Sequence, residues 1–402
     1  MSTAGLSKAR LERMREVLAG HVRSGDVPGI VTLVSRRDEV HVETLGTTTA
    51  GGDVPIQRDT IFRISSMTKP VAAVAALILV EQCRLRLDDP VDDLLPELAD
   101  RMVLTSLDAP LTDTVPAHRP ITPRDLLTFQ FGFGQLFVPP DRYPITQAAA
   151  EAELGMGPPN PAGLPAPDEW LRRLGELPLM YQPGERWLYN TGADVLGVLI
   201  ARASGQPLET FLREQLFAPL GMADTGFSVP ADQLHRLATS YAVDPGSAAL
   251  TVFDEAEGGQ WTTPPAFPSA AGGLVSTADD YLAFGRMLLN NGRHDGERIL
   301  SRTTVRAMTT DQLSPAVKAV SGFLPGYFDS RGWGLGVGVT TARTSPSAVP
   351  GQFGWDGGLG TSWFTDPAEE LVAILMTQRS GFPLLSPVYQ DFWTSVYQSI
   401  DD

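Results

Sequence analysis

The sequence predicts an α/β plus α protein, an antiparallel sheet flanked by helices with a helical domain inserted into it. Three observations carry this. Two β-branched runs, Gly29–Ser35 (GIVTLVS) and Val40–Leu45 (VHVETL), lie near the N-terminus and are separated by the polar turn RRDE. Further strand-like segments, GWGLGVGV (332–339), GTSWFTD (360–366) and LVAILMTQ (371–378), fill the C-terminal third. Between these two regions the apolar spacing is helical. A sheet assembled from both ends of the chain follows, with residues 1–64 and 300–402 as the mixed domain and 65–299 as the mostly helical one.

Each element has its own signal. Leu11, Met14, Leu18 and Val22 share one stripe, so an amphipathic helix is expected over about 6–24, ending near Gly25. The two N-terminal runs form a hairpin. A long apolar helical pattern, PVAAVAALILVEQCRL, starts at Pro70, and proline in a first turn places Ser66–Lys69 at the start of a buried helix. Residues 105–185 are rich in proline and lack periodicity, as loops that cover a site often do, although a tolerated surface insertion reads the same way. Helical spacing resumes at 191–203, 208–217 and 277–289, where Thr277 and Asp280 stand at capping-box spacing. Pro387–Ile400 is the closing helix, with Tyr389, Trp393 and Tyr397 along it.

Composition narrows the function. The 402 residues include 47 acidic and 31 basic side chains, and a formal charge of −16 repels a nucleic-acid backbone. The most apolar stretch, Val71–Val80, is too short to span a bilayer. The N-terminal segment carries charge from Lys8 onward with no apolar export region, so a cytoplasmic protein without membrane contact is expected. With one Cys and five scattered His, no metal site is expected, and no organic cofactor. Only Lys8, Lys69 and Lys318 are lysines among the 31 basic residues. Where an amine must lose its proton, arginine cannot replace it.

Ser66-Met67-Thr68-Lys69 sets a hydroxyl and an amine on one helix face, three residues apart. An ordinary lysine is neutral in only about one molecule in a thousand at pH 7, so activation of Ser66 requires burial or a helix N-terminus to lower its pKa. Burial is available from the apolar run that follows. Taken alone the four residues are equally compatible with an N-cap serine and an exposed lysine.

Context decides between these readings. FRISSMTKPVAAVAALILVE resembles the nucleophile helix of the serine β-lactamase and penicillin-binding protein superfamily, in particular its class C-like branch. ITPRDLLTFQFGFG (121–134), PGERWLYNTGADVLGVLIARASGQPLE (183–209), FAPLGMADTGF (217–227), AGGLVSTADDYLAFGRMLLNNG (271–292) and FGWDGGLGTSWFTDP (353–367) resemble it in the same order. The resemblance implies a β-lactamase-like fold with the site in a cleft between the two domains. It assigns Ser66 as nucleophile and Lys69 and Tyr189 as its proton-handling partners, and Asn190 and Thr191 follow Tyr189 in the second motif. A phenolate at Tyr189 could serve as base if the ammonium stabilises it.

The family's third motif, Lys-Thr-Gly or His-x-Gly, is replaced by Trp355, Asp356 and Gly357; His294-Asp295-Gly296 fits that pattern only formally, in a turn. Loss of the cation removes a partner for a substrate carboxylate. The pattern resembles the carboxylesterases built on this fold, known as family VIII esterases. The backbone amides of Ser66 and Gly358 are the expected oxyanion hole. Phe133, Phe137, Trp261 and Phe267 either shape an acyl pocket or pack in the core or loops. A serine hydrolase of small-molecule carboxylic esters is therefore expected. A β-lactamase or D-amino-acid peptidase, an amidase or acyltransferase on a small metabolite, and a non-enzymatic scaffold are the alternatives.

Overall fold

Alternate residues of the central strands are apolar on both faces, so the sheet needs helices on each side. The computed structural model describes residues 5–37, 39–244, 246–247, 249–381 and 386–402. Helix α1 is Lys8–Ser24, followed by β1 (Gly29–Arg36) and β2 (Glu39–Gly46). Helices α2 (Thr68–Glu81), α3 (Thr191–Ser204) and α4 (Ala278–Leu289) belong to the middle of the chain. Strands β3 (Arg331–Trp333), β4 (Gly338–Thr340), β5 (Phe353–Gly357), β6 (Thr361–Asp366) and β7 (Leu371–Thr377) precede α5 (Pro387–Gln398). They form one antiparallel sheet in the order β3-β4-β5-β6-β7-β1-β2.

Strands β1 and β7 join the two ends of the chain, with Val31 opposite Met376. Ile30, Val34, Leu371, Ala373 and Leu375 face α1 and α5, where they pack with Leu11, Met14, Leu18, Phe392 and Trp393. Val31, Leu33, Val372, Ile374 and Met376 face the opposite way, into a larger core with Tyr281, Phe284 and all of the apolar residues of α2 from Val71 to Leu79. The Leu11, Met14 and Leu18 stripe is buried and α1 stops at Gly25 in the left-handed conformation, as its spacing predicts. Asp38, in the predicted turn of the β1–β2 hairpin, lies outside the described residues.

Two details depart from the sequence reading. The run 332–339 is not one strand but a hairpin, with Arg331 paired to Thr340 across a turn at Gly334–Val337. Gly336 has φ +80°, and a Cβ there would lie 2.3 Å from that of Ala73, so this turn approaches α2 as only glycine allows. The proline-rich span also holds helices, Pro123–Leu127, Pro144–Glu151 and Pro167–Gly175, each opened by proline but too short to show a period. Among the described residues no helix is long and apolar enough to cross a membrane.

Candidate active site

Ser66 sits on a single 3₁₀ turn, Ser65–Met67, that feeds α2. Ser65 has φ +46°, rare for a residue with a side chain and a common mark of a functional turn. Contacts from several elements hold the turn. The Thr68 hydroxyl donates to the Ser65 carbonyl at 2.7 Å and accepts from the Leu274 amide at 3.2 Å. Tyr281 of α4 donates to the Met67 carbonyl at 2.8 Å, and Thr361 of β6 donates to that of Ile64 at 3.2 Å. Gly357 completes the seat: a Cβ there would lie 2.3 Å from the Ile64 carbonyl oxygen, so β5 can lie against the turn only with glycine.

Lys69 is 1% exposed, and its Nζ lies 3.0 Å from Ser66 Oγ, 2.8 Å from Asn190 Oδ1 and 2.6 Å from the Ala271 carbonyl oxygen. Burial brings its pKa down to about 7, against the pull of the nearby Asp194 carboxylate. The amine can then shed its proton near neutral pH. A neutral amine has two hydrogens and one lone pair. The Asn190 and Ala271 oxygens can only accept, so they take the two hydrogens and the lone pair is left facing Ser66 Oγ.

Asn190 has φ +79° and ψ −71°, and the Thr191 amide donates across it to the Tyr189 carbonyl at 3.1 Å, a strained three-residue turn at the start of α3. One helical turn further on stands Asp194, which the sequence reading missed. Its Oδ1 accepts from Ser269 Oγ at 2.7 Å and from the Ala271 amide at 3.1 Å. Asp194 therefore holds the peptide segment whose carbonyl holds Lys69. Burial pushes its own carboxyl up, and the two hydrogen bonds pull it back. An acidic residue within an otherwise apolar helix, five places after Tyr189, was the available signal.

The Tyr189 ring lies 4.4 Å from Lys69 Nζ, and its hydroxyl accepts from Trp355 Nε1 at 2.9 Å. Burial pushes this phenol above its ordinary value, with hydrogen bonding to Ser66 and Trp355 acting the other way. At neutral pH it keeps its proton, which disfavours the phenolate base considered from sequence. Trp355 also meets Trp333 edge-on at 4.6 Å.

Ser66, Tyr189, Asn190 and Gly358 line one cavity of about 330 Å³. The segment from Pro158 to Pro161 closes one side of it, so part of the proline-rich span does cover the site. The remaining expected substrate contacts fall elsewhere. Asp356 points to the opposite face of the sheet from Trp355, where it accepts from Ser362 at 2.8 Å and Tyr389 at 3.4 Å; strand alternation forces this. Gly357 is spent on packing against Ile64, and Thr191 is buried against Met156. Phe133 is fully buried in the core. Trp261 is also fully buried, donating to the Gly273 carbonyl at 2.8 Å, and Phe267 packs on Trp170. Phe137 stands outside the cavity, 60% exposed against Tyr189. The turn holding His294-Asp295-Gly296 borders a different cleft, with Arg37 and Arg286.

A cavity-lining serine paired with a buried lysine at the head of a core helix, facing a tyrosine just before α3, defines a serine hydrolase or acyltransferase. A family model described as Beta-lactamase matches residues 14–387, and the chain belongs to that family. It is 40% identical over 362 residues to Protein Rv1367c of Mycobacterium tuberculosis, covering 89% of this chain and 87% of that one. It is 30% identical over 412 residues to Esterase EstB of Burkholderia gladioli, covering 96% and 94%. The solved structure of EstCE1, described as a hydrolase with promiscuous acyltransferase activity, shares 25% identity and a TM-score of 0.78, over 97% of this chain and 99% of that one. The β-lactamase-like fold expected from sequence is thus the fold of the chain.

Proposed function

We propose that the protein hydrolyses small, uncharged carboxylic esters through an acyl-enzyme on Ser66. The observation that carries this is the indole of Trp355 at the Tyr189 hydroxyl: a neutral donor stands where the family's carboxylate-binding enzymes place a cation. Among the described residues lining the cavity, none is Lys, Arg or His. A substrate carboxylate would lose its hydration there without gaining a partner. The names of the relatives Esterase EstB and Lovastatin esterase agree with an ester substrate.

The Lys69 lone pair takes the Ser66 proton as Oγ bonds to the ester carbonyl carbon. The amides of Ser66 and Gly358 receive the oxyanion. Collapse of the intermediate breaks the bond to the alcohol oxygen, which leaves with the proton held by Lys69, passed directly or through the Tyr189 hydroxyl. Water then repeats the sequence on the acyl-enzyme and releases the acid.

Short p-nitrophenyl esters are the test substrates, with nitrocefin as the comparison. We expect kcat/KM for p-nitrophenyl butyrate to exceed that for nitrocefin by about 10³-fold, since a site lacking the matching charge rejects its partner strongly. Nitrocefin turnover equal to ester turnover overturns the ester reading.

The pH profile tests the base. Turnover should rise with pH through about 7 as Lys69 loses its proton, and should not fall near 10, because burial holds Tyr189 above that value. Asp194→Asn keeps an acceptor for Ser269 and Ala271 but removes the charge that favours the ammonium. Its acid limb should therefore move to lower pH, with plateau turnover within about tenfold of the parent. An unmoved limb contradicts a charged Asp194.

A further inference from the structure

Two loops that the chemistry above does not use meet on the outer side of Tyr189. The Phe137 ring lies 6.3 Å from that of Tyr189, stacked at 30°. Phe323 stands edge-on to Tyr189 at 5.0 Å and stacks on Trp355 at 6.3 Å. The two phenylalanines meet edge to face at 5.1 Å. Phe323 is half-buried, whereas Phe137 and the sequence neighbours Val138 and Leu324 are exposed, at 60%, 37% and 55%. Contiguous exposed apolar surface marks a binding surface. Because this one is continuous with Tyr189 and Trp355, its occupant is part of the substrate rather than a separate partner.

We infer that Phe137 and Phe323 form a subsite for the alcohol half of the ester, and that this half is an aryl or similarly bulky apolar group. The inference rests on the ester reading above. An ester extends in two directions from its carbonyl carbon. The cavity under Pro158–Pro161 contains the proposed oxyanion amides and takes the acyl half. The leaving oxygen collects its proton on the Tyr189 and Lys69 side, so its substituent passes the Tyr189 ring. Phe137 and Phe323 are the side chains packed on that ring from outside. They offer an aromatic ring stacked or edge-on contact, and they offer a charged alcohol nothing.

The experiment compares 2-naphthyl acetate with ethyl acetate, and methyl acetate with methyl octanoate, on the parent, Phe137→Ala and Phe323→Ala. In each variant the ratio of kcat/KM for 2-naphthyl over ethyl acetate should fall about tenfold from the parent ratio, while the octanoate-to-acetate ratio is retained. An unchanged naphthyl-to-ethyl ratio, or a loss that follows acyl length, overturns the assignment. Binding of 2-naphthol to Ser66→Ala by calorimetry separates the two claims. If the parent turns over no ester yet naphthol binds about tenfold more weakly once Phe137 is alanine, the ester reading falls and takes the alcohol-half assignment with it, leaving only an aryl-binding site at Phe137. If esters are hydrolysed and naphthol binding ignores Phe137, the subsite falls alone.

Discussion

Lys69→Arg yields a folded protein whose ester turnover falls by about 10³-fold, the scale of losing a general base. The folded state keeps its hydrogen bonds, because a guanidinium offers donors to the same Asn190 and Ala271 oxygens that hold the amine. What it lacks is a lone pair, since arginine stays protonated even when buried. The check is kcat/KM on p-nitrophenyl butyrate together with a thermal melt of both proteins. An active arginine variant removes Lys69 from the chemistry, and an unfolded one moves the test to Lys69→Met. That variant keeps the length and loses the base.

Ser66→Ala has the larger effect on turnover, a loss on the order of 10⁶-fold, as when the nucleophile of a serine hydrolase is removed. Its melting temperature should match the parent within about 1 °C, a shift of under about 1 kcal/mol in a chain of this size. The turn is fixed by Thr68, Tyr281, Thr361 and Gly357 rather than by the serine hydroxyl. Removing Oγ leaves the Lys69 amine its Asn190 and Ala271 partners. Residual turnover above the uncatalysed rate would come from the amides and the cavity alone.

Local patterns made much of this legible in the sequence. The α1 stripe, the paired β1 and β2 runs and the apolar α2 helix are short-range signals, and the structure contains all three. The Ser66, Lys69 and Tyr189 grouping came from ordered resemblance along the chain, and the fold brings those side chains together. Side-chain direction was harder to read. Asp356 and Trp355 are neighbours in sequence but face opposite sides of β5, and only pairing within the sheet decides which side holds the cleft. Trp261 and Phe133 have the residue types of a pocket wall, yet long-range packing buries them completely. Asp194 acts through Ser269 and Ala271, about 75 residues away in the chain, a link that no local pattern encodes.

Turnover through Ser66 requires a covalent acyl group on its Oγ. Intact-mass measurement of the protein quenched during turnover of p-nitrophenyl butyrate, followed by peptide mapping, tests it most directly. A butyryl adduct is expected on the Ser66 peptide of the parent and none on Ser66→Ala. An adduct on another residue, or full turnover with no adduct at any quench time, contradicts it.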